Sequence, residues 1–316
     1  MESTASQERK VDSRPTKVQK RWRNSEYRES LLRLISLSVL TVPILVGYLW
    51  LLISTFSDRT YGLLPVDDSG HLGGFTLQNW SFLWEDPEIW TVTLNTFLLA
   101  IGMTIIVVAL SALSGYALSR LSFPGRRSFL AGTLVLHAFP SVTLLISIFF
   151  VLRWIRNVPV LGAGLPLIGG FGYNTIGGVI LVSVALQLPI GVWLMKGFFD
   201  GVPWDMERSA LIDGCSRFQA WWRVVLPQVR PGIAALSIFS FIIGWGSFII
   251  PYTYLADPTN SVIAVYLNSL LGSTAPVNYG AVAAVGLFQL IPVMIFFLFT
   301  QKYLLRIFAS GSKGGY

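Results

Sequence analysis

Six apolar runs, each of twenty or more residues, constrain this chain more than any other feature: about Leu34–Phe56, Leu94–Tyr116, Phe129–Leu152, Ile176–Phe198, Pro231–Tyr254 and Gly280–Thr300. A helix needs roughly 20 apolar residues to cross a bilayer, so each run is a candidate span. Membrane barrel strands are about ten residues of alternating hydrophobicity, whereas these runs are apolar on every face. In lipid the backbone amides must be paired within the segment, and a continuous apolar run achieves that as a helix. The sequence therefore predicts an all-α membrane protein with six transmembrane helices.

Composition excludes a large soluble part. Charged residues make up 12% of the 316 and mean hydropathy is +0.62, against about a quarter charged in soluble domains. The longest segment outside the runs, Ser57–Thr93, has 37 residues, below the ~40 at which a chain begins to hold a core unaided. The expected organisation is a basic N-terminal tail with an interfacial helix (1–33), a six-helix transmembrane domain (34–300) and a C-terminal tail (301–316). Within the domain, 199–230 is a polar connection.

The net charge of +7 invites a nucleic-acid reading, but its placement argues otherwise. With six spans, both termini fall on one side, and 20 of the 23 Lys and Arg fall there too. Arg59, Arg153 and Arg156 lie opposite. The positive-inside rule puts both termini in the cytoplasm, and an odd span count would destroy the asymmetry. The partner is membrane lipid, not nucleic acid. Lys20–Arg33 interleaves aromatic and basic residues, as an interfacial helix does. Cys215, the single cysteine, excludes an intrachain disulfide.

Catalytic chemistry finds little to work with. Inside the runs the ionisable side chains are His137 and Lys196. Lys196 can snorkel from its helix end, and His137 has no carboxylate at depth to exchange a proton with, so it is read as a polar residue packed inward. There is no hydrolase, zinc or phosphate-binding motif. The chain is not expected to be an enzyme, or to bind a metal or cofactor, and energy for uphill transport has to come from elsewhere.

The connection Phe199–Arg230 is patterned rather than loose. Pro203 suits a helix start and Asp205 and Glu207 suit its first turn, predicting a helix to about Ile212 with Met206, Ala210 and Leu211 on one face. Asp213-Gly214 breaks it. Ser216 can cap a second helix carrying Phe218, Trp221, Trp222 and Val225, closed by Leu226-Pro227. Two readings fit: a knob that seats in a partner's groove, or a hairpin lying on the lipid headgroups.

The run Ala210-Leu211-Ile212-Asp213-Gly214, with Leu226-Pro227 at matching spacing, resembles the cytoplasmic EAA loop of ATP-binding-cassette importer permeases. Leu188-Pro189-Ile190-Gly191 and Leu290-Ile291-Pro292-Val293 resemble the carbohydrate-uptake branch, maltose permeases among them. The resemblance spans about Leu94–Tyr316. It implies a type I importer permease (MetI-like) fold in a prokaryotic plasma membrane. It also implies a second related permease, two cytoplasmic ATPase subunits that hold ATP and Mg, and an extracytoplasmic sugar-binding protein. Glu207, Arg208, Ser209, Ala210, Asp213, Gly214, Leu226 and Pro227 are the residues it assigns to ATPase coupling. Arg208 and Ser209 stand where the family has Glu and Ala, and Trp245-Gly246-Ser247-Phe248 stands where it often has Trp-Asn-Glu-Phe.

A sugar path needs polar and aromatic groups on apolar helices. Candidates are Asn95, Ser141, Thr143, Gln187, Trp245, Ser247 and Tyr252. Each has an ordinary alternative, since Ser and Thr bond their own helix and aromatic residues populate the membrane interface. Ser111, Ser114 and Gly115 are read as helix-packing residues. An ion-coupled carrier or channel is the competing class, disfavoured by the lack of carboxylates at depth.

Overall fold

The computed structural model describes residues 17–61, 64–66, 69, 71, 73–162, 164, 167–272 and 277–311, with side chains from 28 to 301 except 59–61. The expectations for the extreme termini and for the side chains of the interfacial segment lie outside the described residues. Within them, helices follow the apolar runs: α1 (Lys17–Thr55), α2 (Glu88–Arg120), α3 (Arg126–Ala138), α4 (Leu145–Arg156) and α5 (Ile176–Asp200). The polar connection forms α6 (Trp204–Ile212) and a second helix, α7 (Arg217–Gln228), with a π-helical middle at Trp221–Val225. Then come α8 (Arg230–Trp245), α9 (Ile249–Tyr254), α10 (Ile263–Leu271) and α11 (Tyr279–Gly311).

Four of these helices, α1, α2, α5 and α11, are long and apolar enough to cross a membrane unbroken. The other two runs are bent. The run Phe129–Leu152 is not one helix: Pro140 interrupts it, a 3-10 turn spans Ser141–Leu144, and α3 meets the following segment at 90°. The residue before a proline avoids the helical region, and Phe139 is extended (φ −71°, ψ 131°). The run Pro231–Tyr254 is also divided, since α8 stops at Trp245 and α9 resumes at Ile249. Pro189 and Pro292, by contrast, sit inside unbroken helices.

The packing centre is the pair α2–α5, flanked by α8, which also packs on α11, with α1 outermost against α11. Small residues set the approach. A Cβ at Gly115 would lie 2.9 Å from the Lys196 backbone nitrogen and 2.9 Å from Met195 Cβ. Buried Ser111 packs against Gly191 in the same seam. Leu99, Met103, Val107, Val179, Met195 and Phe199 fill the core between these helices. Most leucine and isoleucine side chains of α1 remain exposed, as a lipid-facing helix requires.

At one end of the bundle, the connections are tied down by buried polar groups. An antiparallel hairpin, β1 (Arg59–Tyr61) and β2 (Leu64–Val66), follows α1. Asn79 Nδ2 donates to the Ser57 carbonyl at 2.9 Å and the Thr55 carbonyl at 3.3 Å, closing the end of α1. Tyr266 of α10 donates to Asp86 at 2.7 Å. Burial, then that bond, push its phenol above the ordinary range. Before α10, the Thr259 hydroxyl and N–H both donate to Asp257, holding its carboxyl below the usual range.

Candidate functional site

Three of the seven predicted path residues meet at one cavity. It has a volume of about 610 Å³ and lies at the two helix interruptions, with Ser141 from the first, Ser247 from the second and Gln187 from α5 in its wall. Ser183, one turn before Gln187 on the same face, joins them. Gln187 Nε2 and Ser183 Oγ are buried and have no hydrogen-bond partner among the described residues. A buried polar atom left unpaired costs about 1–3 kcal/mol, and both atoms belong to side chains of the cavity wall. Met103, Leu144, Ile148 and Ile250 supply apolar wall. Among the described residues, the lining includes no Asp, Glu, Lys or Arg. His137, expected to pack inward, is instead exposed and forms part of the cavity wall.

The other four candidates are placed elsewhere. Asn95 is a clamp: its Nδ2 donates to the carbonyls of Thr259 (3.1 Å) and Ser261 (3.0 Å), fixing the loop before α10. Trp245 is 2% exposed and its indole donates to the Gln289 carbonyl at 2.8 Å, joining α8 to α11. The Thr143 hydroxyl donates to the Pro140 carbonyl at 2.7 Å within its own turn. Tyr252 is exposed and stacks on Phe248. Ser183 was missed because a serine in an apolar helix carries no signal of its own; its spacing of four from Gln187 was the available clue.

At the far end of α2 and α5 sits the polar connection. Pro203 is the N-cap of α6 rather than its first residue, and Gly214, at φ +88°, turns the chain out of it. Ser216 and Gln219 form a reciprocal capping box at the start of α7. The buried face of α6 is Glu207 and Ala210, not the predicted Met206, Ala210 and Leu211; Met206 and Leu211 are 36% and 38% exposed. Glu207 turns inward because Arg120 and Tyr116 at the end of α2 receive it. Arg208 points outward, near Asp205 at 3.7 Å, with its side chain 69% exposed. Ser209 donates to the Asp205 carbonyl. Around the kink, Ile212 and Phe218 are 85% and 67% exposed, an apolar tip on an otherwise polar segment. Leu226 and Pro227 lead through a 74° bend into α8.

Residues 107–307, which include α5, the polar connection and both flanking helices, match the family described as binding-protein-dependent transport system inner membrane component. The chain belongs to this family. This permease is 30% identical over 277 residues to the diacetylchitobiose uptake system permease NgcG of Streptomyces coelicolor, covering 87% of this chain and 84% of that one. It is 27% identical to the maltodextrin permease MalD of Streptococcus pneumoniae, over 90% and 94% of the two chains. The trehalose/maltose permease MalG of Thermococcus litoralis is 25% identical, over 92% and 99%. The permease also shares its fold with a chain of a bacterial ABC transporter that imports the acidic polysaccharide alginate, at a TM-score of 0.69 with 20% identity, covering 88% and 97% of the two chains. It is thus an inner-membrane permease of the ABC importer type, not an ion-coupled carrier.

Proposed function

We propose that this permease forms half of the passage for an uncharged sugar (an oligosaccharide, disaccharide or related polyol or glycoside) in an ATP-driven importer. The observation that carries the reading is the cavity of about 610 Å³ walled by Ser141, Ser183, Gln187 and Ser247. Neutral donors and acceptors beside apolar wall match sugar hydroxyls beside C–H faces, and the lack of Asp, Glu, Lys and Arg in the lining disfavours a charged cargo. Relatives named for diacetylchitobiose and maltodextrin uptake support the same class.

On this reading a second, related permease completes the passage and an external binding protein delivers the sugar. Two ATPase subunits hold ATP and Mg, and this chain binds no cofactor. The exposed tip of Ile212 and Phe218, flanking Asp213-Gly214, seats in an ATPase cleft. Both termini are cytoplasmic, in keeping with the charge asymmetry. Pushing the tip swings rigid helices between inward- and outward-open arrangements.

The test is uptake by the complete complex in proteoliposomes. We expect ATP-dependent uptake of diacetylchitobiose or maltodextrin, no uptake of an alginate oligosaccharide, and a loss of about tenfold in Gln187→Ala, the size of one buried hydrogen bond to substrate. Uptake driven by an ion gradient without ATP would overturn the proposal.

A further inference from the structure

Glu207 and Arg120 form an ion pair almost wholly withdrawn from solvent, their side chains 7% and 3% exposed. Arg120 Nε lies 3.1 Å from Glu207 Oε2, off the hydrogen-bonding line, so this is a charge contact rather than an aligned hydrogen bond. The aligned bonds are made beside it. The Tyr116 hydroxyl donates to Glu207 Oε1 at 2.6 Å. Arg120 Nη2 donates to the Val202 carbonyl at 2.7 Å, just ahead of α6. The Arg120 guanidinium also covers the Trp204 ring, 4.5 Å from its centroid. One turn of α2 therefore holds the first turn of α6 by charge, hydrogen bonds and ring.

Neighbouring contacts extend the grip. Ser119 donates to Asp200 at 2.6 Å, tying α2 to the end of α5. The Tyr116 ring packs edge-on to Phe199 and against Trp221 of α7, at centroid distances of 5.7 and 6.1 Å. Among the described residues, Glu207 is the α6 side chain that makes a hydrogen bond or ion pair with a spanning helix, beside the cation–π contact of Trp204. Its neighbour Arg208 faces out. A buried ion pair is weak as a source of stability, because desolvation offsets its attraction, while losing one partner is costly. What such a pair does well is fix one geometry.

We propose that Tyr116, Arg120 and Glu207 are positioning residues that fasten α6 to α2, so that the two turn as one rigid body when an ATPase displaces the loop. This rests on the coupling role proposed above. It assigns the acidic side chain of the loop to the inward face, where it transmits motion, and leaves the outward face of α6 to the partner.

The experiment measures a distance. Spin labels at Leu110 on α2 and Asp205 on α6, both exposed, are introduced into the complete complex with Cys215→Ser. The expected result is a single distance that stays within about 2 Å between the resting and vanadate-trapped states, the scale of a packing adjustment. Glu207→Gln, which strands the Arg120 charge, should broaden that distribution and lower ATP-driven uptake about tenfold at equal complex, a typical coupling loss. Tyr116→Phe, which keeps the ion pair and the ring, should do the same to a smaller extent. A wild-type distance that changes by several ångströms on trapping, or a Glu207→Gln complex with wild-type distance and uptake, would overturn the proposal. If the wild-type complex shows no ATP-driven uptake, the coupling role fails. The resting distributions of wild type and Glu207→Gln, which need no hydrolysis, still decide whether the cluster fastens α6 to α2.

Discussion

Gly115 sets how closely α2 and α5 approach, because anything larger than hydrogen there meets the Lys196 backbone and Met195 Cβ at 2.9 Å. Backbone cannot yield as a flexible side chain can, so Gly115→Val forces the helices apart at a cost of about 1–3 kcal/mol. The expected outcome is a lower melting temperature of the detergent-solubilised permease and reduced steady-state amount, measured by thermal unfolding and immunoblot. The packing role of Ser111 and Gly115 was legible from residue size alone. Asn95 was not: a polar residue in an apolar run reads as path lining. Its partners, the carbonyls of Thr259 and Ser261, are some 165 residues away in sequence. Glu207 was ambiguous for the same reason, since its burial depends on Arg120 arriving from a different helix.

At the scale of elements, Gly214 is the hinge point between α6 and α7. Its φ of +88° is left-handed, and a Cβ there would meet nothing within 4 Å. The strain in Gly214→Val is therefore conformational rather than steric crowding, about 1–2 kcal/mol, enough to re-aim α6. The spans should insert normally, since their stability comes from pairing and packing within the membrane. We expect normal membrane levels by immunoblot together with loss of uptake and of substrate-stimulated ATP hydrolysis in the reconstituted complex. The turn at Asp213-Gly214 and the cap at Ser216 could be read from the sequence because both are local chemistry. The interruptions at Pro140 and at Gly246–Phe248 were hidden, because an apolar count does not register where a helix bends. Pro189 and Pro292, left in continuous helices, show that proline alone does not decide it.

For the whole molecule, helical class and six apolar segments were readable from run length, and the Lys and Arg asymmetry predicts an orientation. The connections opposite α6 were not readable, because the hairpin, the Asn79 clamp and α10 are held by contacts between distant segments. Orientation has a direct test. A cysteine at Ser69 or Val160, both exposed, should react with an impermeant thiol reagent on intact cells. Native Cys215, partly exposed beside the kink, should react after permeabilisation only. Labelling of Cys215 in sealed cells would contradict the topology.

The two helix interruptions both border the cavity, one through Ser141 and the other through Ser247. A helix that stops leaves carbonyls and amides without their usual partners, and inside a membrane such groups persist where they face protein or a wet cavity. At both breaks the main chain turns to tighter pairings, with the Thr143 N–H on the Pro140 carbonyl and the Ser247 N–H on the Gly244 carbonyl. Alanine replacements along this wall leave those main-chain bonds in place. The bends thus rest on main-chain pairing rather than on the side chains of Ser141 and Ser247.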